Sequence, residues 1–294
     1  MHSYLRTIGF SNIKNQSELD ILTEQIINNP TQNKMVFSDA NTIFAEISVE
    51  FADNMGLALR GEYDTEGKFR IESYYPYYVG ETLSTREEIL FNKKVDCRSY
   101  TGMCDDLRIG VSLIFYLQNV LEYMSVDQKS TKLNNYLDVN LAALSMEGKI
   151  LLGIEKQEKA KGNNMYETKH RTQLIAEARR GNQDAIDSLT IDDIDLYAMI
   201  TKRSKTEDIY SIVESSFVPY GSESDNYAIV GNIMECKTLK NSLTGEEICS
   251  MLVECNDLMF PVIINKKDLQ GEPAAGRRFK GVIWMQGSVE FSEL

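Results

Sequence analysis

Residues 276 to 291 read GRRFKGVIWMQGSVEF and hold the only tryptophan of the chain. The alternation predicts a β-strand, in which successive side chains point to opposite faces. One face carries Lys280, Trp284 and Gln286, and the other face is apolar. The apolar face comprises Phe279, Gly281, Ile283, Met285, Gly287, Val289 and Phe291. Its two glycines suit the sharp bends of a small barrel, so the indole is expected to point away from the interior of that barrel.

The residues before this strand predict a small β-domain over 226–294. YAIVGNIMEC, EEICSMLVEC and MFPVIIN are strand-like runs, and Asn256-Asp257 reads as a short turn between the last two. Because Pro261 cannot donate to a hydrogen-bond ladder, its strand is expected at an edge or beside a bulge. A succession of short strands such as this one is typical of an OB-like barrel.

Upstream, residues 1–156 predict an antiparallel β-sheet domain with a flanking helix. The helix is indicated by Leu19, Leu22 and Ile26, which recur at helical spacing after Ser17, a candidate cap. IFAEISVEF, GLALRGEY and KFRIESYYPYYV are separated by short turn-like runs and predict a three-stranded meander.

Three later runs extend the predicted sheet. They are KVDCRSY, DLRIGVSLIFYLQN and YLDVNLAALSMEGKILLGIEK, the last with a turn at Glu147-Gly148. Ser84, followed three residues later by Glu87, matches a capping box and predicts a helical turn between strands.

Between the two β-regions, residues 157–225 predict a helical connector. The polar run EKQEKAKGNNMYETKH predicts a linker or mobile loop, whereas TKHRTQLIAEARRG and TIDDIDLYAMITKR have helical patterns with capping residues. The predicted fold class is therefore α+β, with an N-terminal antiparallel sheet domain, a helical connector and a C-terminal OB-like small β-barrel.

Composition and charge restrict the class of protein. The 294 residues are 43% hydrophobic and 26% charged, which is typical of soluble globular proteins. The net charge of −13 disfavours binding to nucleic acid and to anionic membranes. No run resembles a membrane helix or a signal peptide, so we expect a cytoplasmic protein without a membrane partner. The five cysteines lack the spacing of a disulfide framework or zinc module.

The common catalytic and cofactor motifs are absent from the sequence. The only histidines are His2 and His170, so histidine-based triads and multi-histidine metal sites are nearly excluded. A dyad of Cys97 or Cys104 with His170 is conceivable, and inert cysteine is the alternative. An acidic cluster has spacing that does not fit a calcium loop and favours helix capping or solvation. It consists of Asp184, Asp187, Asp192, Asp193 and Asp195. No catalytic residue, metal ligand or cofactor is therefore predicted.

The tyrosine-rich run SYYPYYVG, residues 73 to 80, predicts a first contact surface. An extended segment must place these rings on both of its faces, and Tyr75 and Tyr77 are the candidate binding residues. The alternative is that one pair of rings fills the core while the other packs beneath a loop or helix.

The final strand predicts a second contact surface. Basic groups beside a flat ring suit a single-stranded nucleic acid or another anionic ligand. The alternative is that the neighbouring helical region or a partner subunit buries the indole, whose N–H then bonds to a backbone carbonyl. The candidate residues are Trp284, Lys280, Arg277, Arg278 and Gln286.

Several segments together resemble a known family. They are HSYLRTIGFS, SIVESSFVPYGSESDNYAIVGNI, NSLTGEEI, LVECNDLMF and INKKDLQGEPAAGRRFKGVIWMQGSVEF. Over nearly its full length the chain looks like a member of a domain-of-unknown-function family of uncharacterised proteins from anaerobic Gram-positive bacteria. That family has no assigned activity, cofactor or catalytic residue, so the resemblance implies only a cytoplasmic bacterial protein.

These observations favour a non-enzymatic interaction or scaffold protein that binds a protein partner or a second copy of itself. One alternative is binding of single-stranded nucleic acid or an anionic ligand through the C-terminal β-domain. Another is an enzyme with a carboxylate or cysteine site, for example in a cleft lined by Cys104, Asp105 and Asp106.

Overall fold

The computed structural model describes most of the chain. The described residues are 3–39, 42–94, 98–106, 108–128, 136–154 and 213–291, with positions 173, 174, 177, 182–185, 187 and 188. Within them the protein is mostly β, and its strands form two sheets.

The smaller sheet has four antiparallel strands in sequential order. They are β1 (Gln32–Asp39), β2 (Thr42–Ala52), β3 (Met55–Tyr63) and β4 (Phe69–Tyr78). The predicted meander is confirmed as β2 to β4, and β1 is an edge strand that the sequence pattern did not reveal.

A helix, α1 (Gln16–Asn28), packs on the smaller sheet, as its spacing predicted. Leu19, Leu22 and Ile26 are buried on its inner face. The predicted cap is wrong, because the side chain of Asn15 accepts a hydrogen bond of 2.9 Å from the backbone N–H of Glu18.

The larger sheet contains eleven strands among the described residues. Its first five strands are β5 (Thr85–Glu88), β6 (Leu90–Lys93), β7 (Tyr100–Asp105), β8 (Ser112–Leu117) and β9 (Tyr136–Leu151). The others are β10 (Ser216–Pro219), β11 (Asn226–Lys240), β12 (Glu247–Cys255), β13 (Leu258–Asn265), β14 (Leu269–Gln270) and β15 (Arg278–Glu290). Helix α2 (Val120–Gln128) follows β8, and short 3-10 helices span Ser3–Ile8 and Lys266–Asp268.

The strand order of the larger sheet joins the two ends of the chain. The order is β10-β11-β12-β13-β9-β15-β8-β7-β6, β5 and β14 also pair with β9, and β11 pairs additionally with β15. Strand β15 runs antiparallel to β9 from Arg278 to Glu290, and β13 pairs in parallel with residues 143–145 of β9.

The predicted α+β class, with a helical connector and an OB-like barrel, is wrong. The C-terminal strands take β9 from the N-terminal half as their neighbour, so those described do not close into a barrel of their own. Most of the predicted connector lies outside the described residues, and within it Ser216–Pro219 forms a strand. The boundaries predicted after residues 156 and 225 stay a prediction about which parts fold alone.

Two local predictions also fail. The run from Ser84 to Glu87 leads into β5 instead of a helical turn. Strand β9 continues through Glu147-Gly148, where Gly148 lies opposite Gly281 on β15. A Cβ at Gly148 would lie 2.4 Å from the ring of Phe279, and one at Gly281 would lie 2.6 Å from it. The paired glycines therefore make room for a core ring, since no larger residue leaves that space.

The two faces of β15 are divided as the alternation predicted. Phe279, Ile283, Met285 and Val289 are buried in the core of the larger sheet. Trp284 belongs instead to the cluster between the larger sheet, the smaller sheet and the N-terminal 3-10 helix. Trp284 and Gln286, on the other face of β15, therefore lie at the junction of the sheets.

Candidate functional site

A fully buried arginine joins the two sheets. Arg60 lies on β3, and its exposed fraction is 0%. Its Nε donates to Oε2 of Glu46 on β2 at 2.6 Å, and its Nη1 donates to the hydroxyl of Tyr116 on β8 at 2.7 Å. The carbonyls of Leu117 and Gln118 accept from Nη2 at 3.3 and 2.6 Å. One guanidinium thus holds the smaller sheet to the end of β8.

Tyr75 completes this cluster. Its hydroxyl accepts from Nη2 of Arg60 at 2.9 Å and lies 3.0 Å from Oε2 of Glu46, to which it donates. The ring also lies under the guanidinium, 4.4 Å from its centre. Burial raises the pKa of Tyr75 well above its usual value. Burial alone would lower the pKa of Arg60, but Tyr116, Tyr75 and Glu46 raise it overall, so the guanidinium stays charged.

Beside this cluster an inter-sheet cleft of about 360 Å³ opens between β1, β2, β4, β9, β15 and the start of α2. Its polar lining includes Glu46, Ser48, Glu50, Tyr75, Tyr77, Gln118, Glu122, Asn140, Ser288 and Glu290, with Lys34 at the β1 side. Burial raises the pKa of Tyr77 above its usual value, and the charge of Glu50 adds to the effect.

A buried amide oxygen in the cleft lining lacks a hydrogen-bond partner. Gln118 is 7% exposed, and its Nε2 donates to the carbonyl of Tyr78 and to Oε1 of Gln286, each at 2.8 Å. Gln286 in turn donates through Nε2 to the carbonyl of Pro76 at 2.9 Å. This chain of donors fixes the orientation of both amides. Within the described residues, Oε1 of Gln118 accepts no hydrogen bond. Such an orphan acceptor costs about 1–3 kcal/mol.

Trp284 packs against two aromatic rings, one of which, Tyr116, also accepts a hydrogen bond from Arg60. Its ring centroid lies 5.2 Å from that of Tyr4 in the N-terminal 3-10 helix and 5.2 Å from that of Tyr116. The side chain is 6% exposed, and its N–H donates to the carboxylate of Asp225 at 3.2 Å. The partner is therefore a carboxylate, where the alternative interpretation expected a backbone carbonyl. The ammonium of Lys94 lies 3.3 Å from the same Asp225 oxygen.

The basic residues of the final strand do not gather around Trp284. Arg278 is 3% exposed and donates to the carbonyls of Leu152 and Val213 at 3.0 and 2.8 Å. Arg277 donates to the carbonyl of Glu272 at 2.6 Å, and Lys280 lines a separate groove with Tyr220 and Gln270. Burial lowers the pKa of Arg278 from its usual value. This distribution offers no common surface for a phosphate chain and does not favour the nucleic-acid interpretation.

Of the residues proposed for an enzyme site, Cys104 is buried in the core and both carboxylates accept hydrogen bonds from neighbouring side chains. Asp106 is 2% exposed and accepts from Thr85 at 2.8 Å and from Arg108 at 2.6 and 2.9 Å. Burial acts to raise the pKa of Asp106, but the hydrogen bonds from Arg108 lower it overall. Burial raises the pKa of Cys104 to about 12, with the charge of Asp106 adding to it, so the thiolate is scarce. Asp105 is exposed and accepts from Ser112 at 2.6 Å.

Other predicted site residues lie outside the described residues. They are His2, Cys97, His170, Asp192, Asp193 and Asp195. Asp184 and Asp187 are described and exposed. In the part of the chain that the structure describes, no three or more His, Cys, Asp or Glu side chains come close enough to hold a metal ion. Nor does any described helix have the length and apolarity needed to cross a membrane.

Exposed apolar side chains lie along the edge strand β1. Met35 is 54% exposed and Phe37 is 70% exposed, whereas Val36 between them is 8% exposed. Val36 packs against Phe44 and Leu121 of α2. Strand β1 pairs with β2, and no described strand pairs with its outer edge.

Fold and site together define a mostly β protein of two sheets, joined by a buried arginine cluster beside a polar cleft. The chain belongs to the family described as "Domain of unknown function, E. rectale Gene description (DUF3881)", whose model matches residues 5–287. The resemblance predicted from the sequence is therefore confirmed, and the family takes its name from an anaerobic Gram-positive bacterium. No curated protein and no solved structure matches the chain at a significant level.

Sequence reasoning placed Tyr75, Tyr77 and Gln286 among the binding candidates, and the structure brings Tyr75 and Tyr77 to the inter-sheet cleft with Gln286 bonded to its lining. It missed Arg60 and Gln118. The sequence did contain a signal for Arg60. In a strand it shares a face with the small residues Gly56 and Ala58, opposite the face of Leu57 and Leu59. Gln118 fell on the more polar face of the predicted strand DLRIGVSLIFYLQN, and nothing in that pattern singled it out as a site residue.

Proposed function

We propose that this chain is a non-enzymatic interaction protein that associates with a second copy of itself through the outer edge of β1. The observation that carries the proposal is the pair of exposed apolar side chains, Met35 and Phe37, on a strand whose outer edge has no described neighbour. An unpaired strand edge presents backbone donors and acceptors that another strand can bond.

The sequence of β1 is self-complementary when two copies pair antiparallel about Val36. This register sets Met35 of each copy opposite Phe37 of the second copy, so both exposed apolar side chains meet a counterpart. Lys34 does not face itself, which avoids a like-charge pair at the centre. The smaller sheet would then continue from one copy into the next, with two-fold symmetry.

The overall charge opposes this association. Each copy carries a net charge of −13, so two copies repel each other at low ionic strength. Salt screens that repulsion over about 10 Å at 0.1 M. Association through an apolar strand edge is therefore expected to strengthen as salt is added.

Sedimentation velocity over a range of protein concentrations tests the proposal. We expect a monomer–dimer equilibrium that shifts toward the dimer between low and high salt, and that is lost in Phe37→Glu. The matched control is Ile21→Glu, which changes an equally apolar residue on α1 that is 59% exposed. A chain that stays monomeric at every concentration, or a dimer that Phe37→Glu leaves intact, contradicts the proposal.

A further inference from the structure

A groove of about 420 Å³ crosses the larger sheet on the face turned away from the core that contains Phe279 and Ile283. We infer that this outer groove binds a small amphiphilic monocarboxylate, with an aliphatic body of the medium-chain fatty acid class. Two lysines placed directly opposite each other and an exposed apolar row beside them carry the inference. The groove lies on another sheet than the β1 edge, so the inference goes beyond the proposed self-association.

The strand register arranges the outer groove in two neighbouring rows of side chains that run from β10 across β11 and β15 to β9. The first row, which ends on β14, consists of Ser216, Val230, Lys280, Lys149 and Gln270. The second row consists of Val218, Ala228, Val282 and Glu147. Residues two apart in a strand point to the same face, so both rows line one surface.

The first row places two like charges side by side. Lys149 and Lys280 are direct partners in the antiparallel pair of β9 and β15, where facing Cβ atoms are about 4.5–5.5 Å apart. Like charges in this position destabilise a sheet, and an anion that binds both ammonium groups removes the repulsion. Lys149 is exposed and has no ion-pair partner among the described residues. Gln270 lies beside Lys149 and adds an amide donor at the same end of the groove.

The charge of the outer groove favours an anion with a single negative charge. Its described charged lining consists of two lysines and one glutamate, Glu147, which leaves one positive charge. Glu147 is exposed and lies two residues from Lys149 on the same face of β9, so it repels a second negative charge on the ligand. A carboxylate brings one charge to the two ammonium groups, whereas a phosphate monoester carries nearly two.

The second row supplies an apolar surface for the body of the ligand. Val218 is 54% exposed, Ala228 and Val282 are half-buried, and Tyr220, 52% exposed, extends the surface at the β10 side. The three aliphatic side chains cross two strand spacings of about 4.8 Å, so this surface is about 10 Å long and matches an extended chain of about eight carbons. The groove volume also lies within the range of about 300–1,000 Å³ that is usual for small-molecule sites. A carboxylate held between the lysines therefore lays its chain along this row.

Isothermal titration calorimetry of the full chain with octanoate tests the inference. We expect saturable binding of octanoate and no binding of acetate, which has the charge but no aliphatic body. Hexanoate, which is shorter by two methylene groups, should bind about four-fold more weakly, because each half-buried methylene contributes about a two-fold gain in affinity. Uncharged 1-octanol should bind about five-fold more weakly than octanoate, because it cannot form ion pairs with the two lysines.

Two variants of exposed residues locate the site without disturbing the core. Lys149→Gln should weaken octanoate binding by about two- to five-fold, as for a partly exposed ion pair. Val218→Asp should weaken it by about ten-fold or more, because it places a carboxylate on the apolar row. Lys68→Gln, before β4, and Leu243→Asp, between β11 and β12, are the matched controls. Both residues are exposed and lie outside the groove, so these changes should leave the dissociation constant unchanged.

Several results would overturn the inference. They are absence of octanoate binding, equal binding of acetate and octanoate, and equal binding of octanoate by Lys149→Gln, Val218→Asp and the two controls. If octanoate does not bind but Val218→Asp abolishes self-association in sedimentation velocity, the groove is an interface between copies, which also contradicts the inference. Self-association through the β1 edge is decided separately by Phe37→Glu, so the two proposals can fail independently.

Discussion

Replacing Arg60 by methionine should weaken the contact between the two sheets, because this side chain makes several of the hydrogen bonds that join them. The guanidinium donates five hydrogen bonds, two of them to tyrosine hydroxyls and two to backbone carbonyls. Methionine fills a similar volume but offers no donor. Glu46, 13% exposed at its side chain, would lose its counter-ion.

The free energy of unfolding should fall because this carboxylate loses its ion pair and the other acceptors of Arg60 lose their hydrogen-bond donor. Removing one partner of a buried ion pair costs about 3–5 kcal/mol. A typical protein has a free energy of unfolding of about 5–15 kcal/mol, so Arg60→Met should fold but with a much smaller margin. At an m value of about 3 kcal/mol/M, the urea midpoint should fall by about 1–1.7 M.

Urea titration followed by tryptophan fluorescence measures this directly. Trp284 is the only tryptophan and contacts Tyr116, which accepts a hydrogen bond from Arg60, so its emission reports on the junction. Arg70→Met is the matched control, since Arg70 is exposed on β4 and the same change there should shift stability by less than about 0.5 kcal/mol.

A double variant separates the ion pair from the other bonds. Arg60→Met combined with Glu46→Leu should be more stable than the sum of the single changes by about 1–3 kcal/mol, because no unpaired charge remains. A cost below about 1 kcal/mol for Arg60→Met, with an unchanged m value, would refute the view that this arginine holds the sheets together.

Three further results are expected. The pKa of Asp106 is lowered in the folded state, so its stabilising effect is complete above the unfolded-state value of about 3.9 and is lost as the pH falls through the folded value. Asp106→Asn should therefore destabilise the protein at neutral pH, and in urea titrations its difference from the parent should shrink as the pH is lowered below about 3.9. Gly281→Ala should lower the free energy of unfolding by about 1–3 kcal/mol, because the new methyl group overlaps the ring of Phe279. Adding Phe279→Leu should restore part of that stability, as measured by differential scanning calorimetry. Cys236 is exposed, whereas Cys255 is buried and its pKa is raised to about 12. In a thiol-reagent assay of the native protein, Cys236→Ser should therefore remove one fast-reacting thiol, and Cys255→Ser should remove none.

The register of β2 and β3 shows why the site could not be read from the strands alone. Both strands were predicted, and the turn between them is tight. At that turn Ala52 pairs with Met55, and this register, continued, would set Glu46 opposite Gly61. A bulge between residues 50 and 52 shifts the pairing by one, so Glu46 lies opposite Arg60. A one-residue shift exchanges the faces of a strand, and only the folded backbone reveals it.

Helix prediction was limited in a similar way. Helix α1 was visible because one apolar stripe recurs over three turns, and its face packs on a sheet. Helix α2 follows β8 directly, and the run DLRIGVSLIFYLQN that ends at its border reads as one long strand. Only Ser112–Leu117 of that run forms β8. After β8 the backbone N–H of Gln118 still donates to the carbonyl of Gly287 on β15, and α2 begins two residues later at Val120.

By itself the sequence determined most of the long strands and the division of β15 into two faces, whereas β1, β5 and β10 escaped it. Both properties follow from local alternation, because side chains of successive strand residues must point to opposite faces. The sequence also contained enough of the family's characteristic segments for its membership of that family to be predicted. Tertiary structure alone decided that β15 pairs with β9, that Trp284 is covered by Tyr4 and Tyr116, and that Gln118 lies in a cleft between sheets. Hydrogen bonds between distant strands are made by backbone groups common to every residue, so the choice of partner depends on how the whole chain buries its apolar faces.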